Sequence, residues 1–391
     1  MNEKNSKDQA HLNLRDTVNY GSYYTPGSIV DLVYGLLKKN IPDLSRHLIV
    51  DTSCGYGSFL NLPGLESKTI GADLDPTALK EAARFAPNAK LFQHNSLAGV
   101  SRAQFGLADE KLVIVGNPPY NDRTSLIRHS LKKDVCEMDP DLRHRDLGLS
   151  FLLSYNKLKA DYICVLHPLS YLIKKANFES LGPFKYHYKL KDGLVISSGE
   201  FSATSKTTRF PILIALYQRT PEGMTYNFIR RHSFETKEGR GFSLDRFDEL
   251  GWFAAKYPNQ KSQRLDKTAA FFWTLRDINA LKRSRTFLEK EVPNSSIRVP
   301  VERLPYYCYA DVFKDHLRRI PYYFGNCDIL LDHDEFEKIK DAFVAVSLEK
   351  YQFLRHILPV CNSPGNGAKN YTPVITSYFK NLFGVHYADS D

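Results

Sequence analysis

The stretch VGNPPYND, Val115 to Asp122, sets an amide, two prolines and a phenol directly behind the apolar run Leu112-Val113-Ile114-Val115. The apolar run predicts a buried strand. Pro118 and Pro119 remove two backbone donors and fix two φ angles, so the turn after the strand is stiff and can neither pair nor coil. Groups held in this way suit one kind of chemistry. An exocyclic amine such as that of adenine is a poor nucleophile because its lone pair is delocalised into the ring. Acceptors on both of its N–H bonds would draw the nitrogen towards tetrahedral geometry and localise that pair. Asn117 offers a side-chain carbonyl, Pro118 a backbone carbonyl that the Pro118-Pro119 turn keeps aimed, and Tyr120 a ring on which a base can stack. Fixed dipoles of this kind act where charge develops, and so favour the transition state over the ground state.

Two earlier stretches offer a binding site for a nucleoside. In DTSCGYGSFL, Asp51 ends an apolar strand, and Gly55 and Gly57 let the backbone pass close to a ligand where a Cβ would collide. Ligands of open α/β sheets bind at the carboxyl ends of strands. An ordinary tight βα turn would use the same glycines. The third glycine of a dinucleotide fingerprint is missing, which favours an uncharged or zwitterionic nucleoside over a pyrophosphate. In GADLDP, Asp73 at the end of a second strand is placed to accept from both ribose hydroxyls. Asp75 competes for that role, but Asp75-Pro76 reads better as a helix cap followed by a first-turn proline.

Other groups carry less. His167-Pro168 closes a later strand, yet a neutral amine needs no strong base, because its proton can leave to water after the transfer; a structural role fits His167 better. Cys54 lies beside the glycine loop with no His or Asp spacing that would make it a nucleophile. DHDEFEKIK at 332–340 lacks the glycine and spacing of a calcium loop and reads as the start of a solvated helix. No metal set is expected.

These groups need a scaffold. GSIVDLVYGLLKK, 27–39, places Ile29, Val30, Val33, Leu36 and Leu37 on one helical stripe. The glycine-loop stretch reads as strand, turn and the start of a helix, and KTIGADLDPTALKEAARF repeats that order. AKLFQHNSL and KLVIVGNPPY predict a third and fourth strand, LSFLLSYNKLK a helix, and DYICVLHPLSYL a fifth strand; LVISSGEF and FPILIALYQR supply two more. Such alternation predicts an α/β fold with a mostly parallel sheet covered on both faces. The pattern changes at Thr220-Pro221-Glu222-Gly223, so two domains are expected, 1–219 and 220–391. The second is irregular and aromatic, with basic patches KRSR at 282–285 and HLRR at 316–319, and NSPGNGAKN at 362–370 is a loop by composition.

Composition narrows the class further. The net charge is +9 and the isoelectric point near 9.0, which favours a polyanionic partner. Between Trp252 and Leu330 there are 14 Lys and Arg against 8 Asp and Glu, whereas from Leu331 onwards the counts are 6 and 8. The six cysteines (Cys54, Cys136, Cys164, Cys308, Cys327, Cys361) show no CxxC spacing, as in a reduced cytoplasmic protein. The polar N-terminus lacks a signal-peptide core, and no run approaches the roughly 20 apolar residues of a membrane span. A soluble cytoplasmic protein with no membrane contact is expected.

Taken in order, these motifs resemble those of the S-adenosylmethionine-dependent N6-adenine DNA methyltransferases whose cofactor motifs precede NPPY. The resemblance covers about residues 20–219. YYTP at 23–26 is similar to the N-terminal cofactor motif, which implies that Tyr24, Thr25 and Pro26 line the methionine end of the pocket. DTSCGYGSFL resembles the glycine motif (Asp51, Gly55, Gly57), GADLDP the ribose motif (Asp73, Leu74) and GNPPY the catalytic motif. LGLSFLLSYNKL resembles the helix that follows it, and YICVLHPLSYL the fifth strand. GEFSATSKTTRFPILIALYQR resembles the hairpin that closes the sheet and implies that Phe201 stacks on an extruded base. The family often has an acidic residue after the third strand; QHNSL offers Asn95 there, followed by Ser96.

The resemblance implies a Rossmann-like methyltransferase sheet with a closing antiparallel hairpin, and a C-terminal target-recognition domain. It implies S-adenosylmethionine as cofactor, held by Tyr24, Thr25, Pro26, Asp51, Gly55 and Gly57, with Asp73, Leu74, Asn95, Ser96 and Asn117. Catalysis falls to Asn117, Pro118, Pro119 and Tyr120, with Phe201. The implied partner is double-stranded DNA, read by base flipping, with a cognate restriction endonuclease sharing the site. An RNA-adenine or protein-glutamine methyltransferase is the alternative, but those enzymes typically carry their extra domain before the catalytic one. Here about 170 residues follow the sheet. A fused restriction nuclease would need a paired-acid-plus-Lys cluster that is not convincing here, and intact Asn117, Pro118, Tyr120 and Asp73 argue against an inactive binding module. The recognition sequence and the oligomeric state are not legible.

Overall fold

A computed structural model describes residues 25–62, 64–65, 68–120, 137–201, 209–258, 268–282, 287–291, 296–356 and 370–388. Tyr24, Cys136, Cys361, most of the KRSR patch and nearly all of the 362–370 loop lie outside the described residues. Two compact units are present, Met1–Phe242 and Ser243–Asp391.

The first unit is built on a nine-stranded sheet in the order β3-β2-β1-β4-β5-β7-β6-β8-β9. β1 (Leu48–Asp51), β2 (Thr69–Asp73), β3 (Lys90–Gln93), β4 (Leu112–Gly116) and β5 (Tyr162–Pro168) run parallel. β6 (Tyr188–Ser197) and β7 (Pro211–Arg219) form the expected closing hairpin, with β7 antiparallel to both β5 and β6. The architecture is therefore the expected Rossmann-like α/β sheet. β1 and β4 are fully or nearly buried, which is why they read as unbroken apolar runs rather than as alternating ones.

The boundary between units falls later than the composition change at Thr220 suggests. The residues in between carry α7 (Tyr226–Arg231), β8 (Phe234–Thr236) and β9 (Gly241–Phe242), and β8 pairs in parallel with β6, so they extend the first sheet. The six helices before them are α1 (Gly27–Asn40), α2 (Pro76–Phe85), α3 (Leu147–Leu158) and the short α4 (Ser170–Ile173), α5 (Lys175–Ser180) and α6 (Phe184–His187). α1 buries Ile29, Val33 and Leu37 and half-buries Val30 and Leu36, as its stripe predicts.

One expected helix does not form. After β1 the glycine loop continues as successive turns, Gly57 N to Cys54 O at 2.7 Å and Leu60 N to Gly57 O at 2.8 Å. Gly57 sits at φ +82°, and the Pro63-Gly64 pair that follows in sequence leaves no room for a helical run.

The second unit pairs β10 (Asp248–Glu249) with β13 (Leu330–Leu331), and β11 (Thr268–Phe272) with β12 (Ile297–Pro300). α8 (Leu304–Phe313), α9 (His333–Lys350) and α10 (Thr372–Phe383) enclose an aromatic core of Tyr309, Phe313, Phe336, Phe343, Tyr378 and Phe379. Among the described residues no helix is long and apolar enough to cross a membrane.

Candidate active site

The chain leaves β1 for β2 and β3 on one side of the sheet, then returns to β4 and β5 on the other. The crevice between β1 and β4 is thus the topological switch point, where α/β sheets bind ligands. Asp51 ends β1 and Asn117 follows the end of β4, so sequence order alone delivers both to this crevice. The end of β4 runs close to Asp51: a Cβ on Gly116, the residue before Asn117, would lie 3.0 Å from Asp51 Oδ1.

Two carboxylates converge on the glycine loop. Asp51 is buried and accepts from Ser53 N at 3.0 Å. Burial pushes its carboxyl up to about 8, against the Ser53 bond and with help from the charge of Asp73. Asp73 accepts from Gly55 N at 2.8 Å and from Asp75 N at 3.0 Å, tying the glycine loop to the end of β2. Burial raises its carboxyl too, opposed by those two N–H bonds and by a third from Leu74. Asp75 instead accepts from Thr77 N at 2.8 Å and caps α2, with Pro76 behind it. Buried acids that resist ionisation favour a cationic ligand, which would restore their charge.

The remaining binding candidates divide. Leu74 leaves 38% of its surface exposed beside Asp73, an apolar face open to a flat ligand. Ser96 is buried, and among the described residues its Oγ has no hydrogen-bond partner, a vacancy that a polar ligand atom could fill. The Asn95 side chain is used locally, accepting from Leu97 N at 3.0 Å and donating to Glu137 O at 2.7 Å. Both ends of its amide thus brace the loop after β3. Thr25 is buried, and Pro26 stands at the start of α1.

At the NPPY turn, Asn117 Nδ2 donates to Thr25 Oγ1 at 3.2 Å. The Tyr120 hydroxyl faces two acceptors, Asn117 Oδ1 and the Leu166 carbonyl, the latter at 2.6 Å. Burial, then the nearby Tyr155 and Asp146, holds the phenol well above its usual range, so it stays protonated. Pro118 is buried, and Asn117, Pro119 and Tyr120 are half-buried.

Sequence reasoning missed the wall behind Tyr120. Asp146 caps α3, accepting from Gly148 N at 2.9 Å and from the Tyr171 hydroxyl. Tyr171 stacks on His167 with ring centroids 5.3 Å apart. The available signal was Gly148 itself, a glycine in the first turn of a strongly helical stretch. His167 is structural. It is buried, its Nδ1 bonds the Pro168 carbonyl at 2.9 Å and its Nε2 the Tyr217 hydroxyl at 2.7 Å. Because a carbonyl only accepts, Nδ1 carries the proton, and burial pulls the ring down to about 4, keeping it neutral.

Phe201 is not where the resemblance places it. The ring is 5% exposed and belongs to the core formed by Ile29, Val33, Val115 and Ile212. A large ring that shares a core with Ile29 and Val33 of α1 gains more by burial than by facing solvent.

No family model matches the chain, and no curated protein matches it. Solved structures match it in part. A Listeria monocytogenes protein described as a class I S-adenosylmethionine-dependent methyltransferase aligns at TM-score 0.38 and 15% identity, over 59% of this chain and 75% of that one. A type I restriction-modification system methyltransferase subunit from Streptococcus thermophilus aligns at 0.38 and 15%, over 57% of this chain and 50% of its own. A Pyrococcus horikoshii protein described as an RNA methyltransferase aligns at 0.36 and 16%, over 54% and 92%. At these identities, and with TM-scores below 0.5, substrate has to be argued from the site.

Proposed function

We propose that this chain is an S-adenosylmethionine-dependent methyltransferase that modifies N6 of adenine in double-stranded DNA, as the modification enzyme of a restriction-modification system. The observation that carries the reading is the placement of Asn117. Its amide follows directly on the end of the central strand β4 at the switch point, held between the Thr25 and Tyr120 hydroxyls.

The residues present fit the cofactor. Asp51 and Asp73 favour a cation, Leu74 offers an apolar face, Ser96 has an open polar valence, and Gly55 ties the loop to Asp73, while Gly57 serves the packing of that loop against Ala82 of α2. When bound, S-adenosylmethionine supplies an electrophilic methyl group on a positively charged sulfur. Asn117 Oδ1 and the Pro118 carbonyl accept the two N6 hydrogens and localise the nitrogen lone pair. Tyr120 packs against the base and holds it in plane with those acceptors. The extra proton leaves N6 to water, so no strong base is required; His167, neutral and bonded on both nitrogens, is not needed. Double-stranded DNA is the partner in this reading, and a restriction endonuclease reading the same site would be its counterpart.

The test is transfer of labelled methyl from S-adenosylmethionine to plasmid DNA, with the modified base mapped, beside RNA and protein acceptors. Label on N6 of adenine in DNA, lost by roughly 100-fold or more in Asn117→Ala, is expected. Label confined to RNA or protein overturns the DNA assignment, and near-wild-type turnover in Asn117→Ala overturns the role of the turn.

A further inference from the structure

The Asn117 amide lies between two hydroxyls that are not equivalent. Tyr120 has one proton to share between Asn117 Oδ1 and the Leu166 carbonyl at 2.6 Å, so its hold on the amide is contested. Thr25 is 5% exposed, and among the described residues its hydroxyl makes no hydrogen bond other than the one from Asn117 Nδ2. A hydroxyl can accept or donate. While the Thr25 proton is uncommitted, Thr25 can satisfy either end of the amide, taking a hydrogen from Nδ2 or, after a half-turn of the amide, giving one to Oδ1. Once a ligand acceptor takes that proton, only lone pairs face Asn117. Nδ2 must then point to Thr25, and Oδ1 to the side of Tyr120, where a stacked base would present its amine.

We propose that Thr25 is a positioning residue that passes cofactor binding to Asn117: an acceptor atom of the cofactor on the Thr25 hydroxyl proton locks the amide with Oδ1 towards the substrate amine. The inference rests on Asn117 being the substrate's acceptor and adds a coupling between the two ligands. A residue that only contacted the cofactor would change cofactor affinity and leave turnover alone. A coupling is reciprocal, so cofactor must also tighten target binding.

The experiment compares full-length wild type, Thr25→Ser and Thr25→Val, each checked by thermal melting; Thr25→Ala replaces the valine variant if that one melts early. Two quantities are read. One is kcat at saturating S-adenosylmethionine, and the other is the ratio of duplex affinities with and without S-adenosylhomocysteine. Thr25→Ser keeps both within about twofold, because it retains the hydroxyl. Thr25→Val lowers kcat by about 3- to 10-fold, the effect of one lost neutral hydrogen bond, and brings the affinity ratio close to one. Wild-type kcat in Thr25→Val, or an affinity ratio the same in Thr25→Val as in wild type, overturns the inference. Should wild type modify another amine or amide, both quantities are read on that target, since any N–H donor at Asn117 meets the same amide. The DNA assignment would then fail alone.

Discussion

Gly148 leaves the space that Tyr120 fills. A Cβ there would stand 3.1 Å from Tyr120 Cδ1 and 2.5 Å from the Tyr171 hydroxyl oxygen. Asp146 binds that hydroxyl and caps the same helix, so the first turn of α3 and the ring of the NPPY turn are shaped together.

Gly148→Ala should therefore damage function before it damages the fold. Tyr171 is rooted in a buried stack on His167, so the mobile partner is the Tyr120 ring. Overpacking of this kind costs about 1 to 3 kcal/mol of stability. Turnover should fall by about tenfold or more, as happens when a reacting group is displaced by an ångström. Adding Tyr171→Phe removes the nearer obstacle and should restore part of the turnover. Chemical denaturation and single-turnover rates of the single and double variants check this; wild-type turnover in Gly148→Ala would remove the glycine from the site's design.

Asp51 predicts a pH dependence whose sign can be worked out. Its carboxyl is raised from 3.8 to about 8 in the folded protein, so the native state keeps a proton that the unfolded chain has released. The stability from this group is full below the unfolded value and is lost as pH rises through about 8. Between those limits the wild-type melting temperature should fall relative to Asp51→Asn, which has no such proton. A cationic ligand favours the carboxylate, so binding of S-adenosylmethionine near neutral pH should release protons. Calorimetry in buffers of differing ionisation heat reads that release. Equal release by wild type and Asp51→Asn would take Asp51 out of the cofactor's charge balance.

The sheet and the placement of Asp51, Asp73 and Asn117 were legible in the sequence because they depend on local signals. Apolar runs mark buried strands, and Asp75-Pro76 marks a helix start. The groups that finish the site come from distant segments: Thr25 reaches Asn117 from the start of α1, and Leu166 reaches Tyr120 from β5. Periodicity carries no information about such meetings. Phe201 fails for the converse reason. A motif position names a residue type, but whether an aromatic ring faces ligand or core depends on what α1 packs against it. The missing helix after the glycine loop shows that two glycines and a proline within ten residues outweigh the repeated strand-turn-helix order.

Asp73 carries a third prediction. Gly55 N, Asp75 N and Leu74 N take three of its lone-pair directions, and a carboxylate has roughly four, so about one remains for a ribose hydroxyl. Asp73→Ala should weaken S-adenosylmethionine binding by about 1.5 to 3 kcal/mol while the protein still melts cooperatively. Asp73→Asn should lose less, because its amide oxygen can still brace the glycine loop. Unchanged affinity by titration in both variants would leave the ribose without its acid, since Asp75 is engaged in capping α2.

The last prediction concerns how the base is reached. N6 of a paired adenine lies in the duplex stack, so the nucleotide has to be extruded, at a cost of a few kcal/mol. Replacing the partner base with a mismatch or an abasic site removes the pairing part of that cost, and binding should tighten by about 1 to 3 kcal/mol. The compensating stack falls to Tyr120, which is half-buried, rather than to Phe201, which is packed in the core. Tyr120→Ala should thus weaken binding to paired and mismatched duplexes alike by about 1 to 3 kcal/mol, the worth of one base–aromatic stack. Phe201→Ala should act first on stability, at about 3 to 5 kcal/mol, as for a large ring removed from a core. Equilibrium binding to the two duplexes separates the cases. If paired and mismatched duplexes bind equally and Tyr120→Ala is silent, no base is being flipped into this turn, and an RNA or protein acceptor becomes the better reading of the same amide.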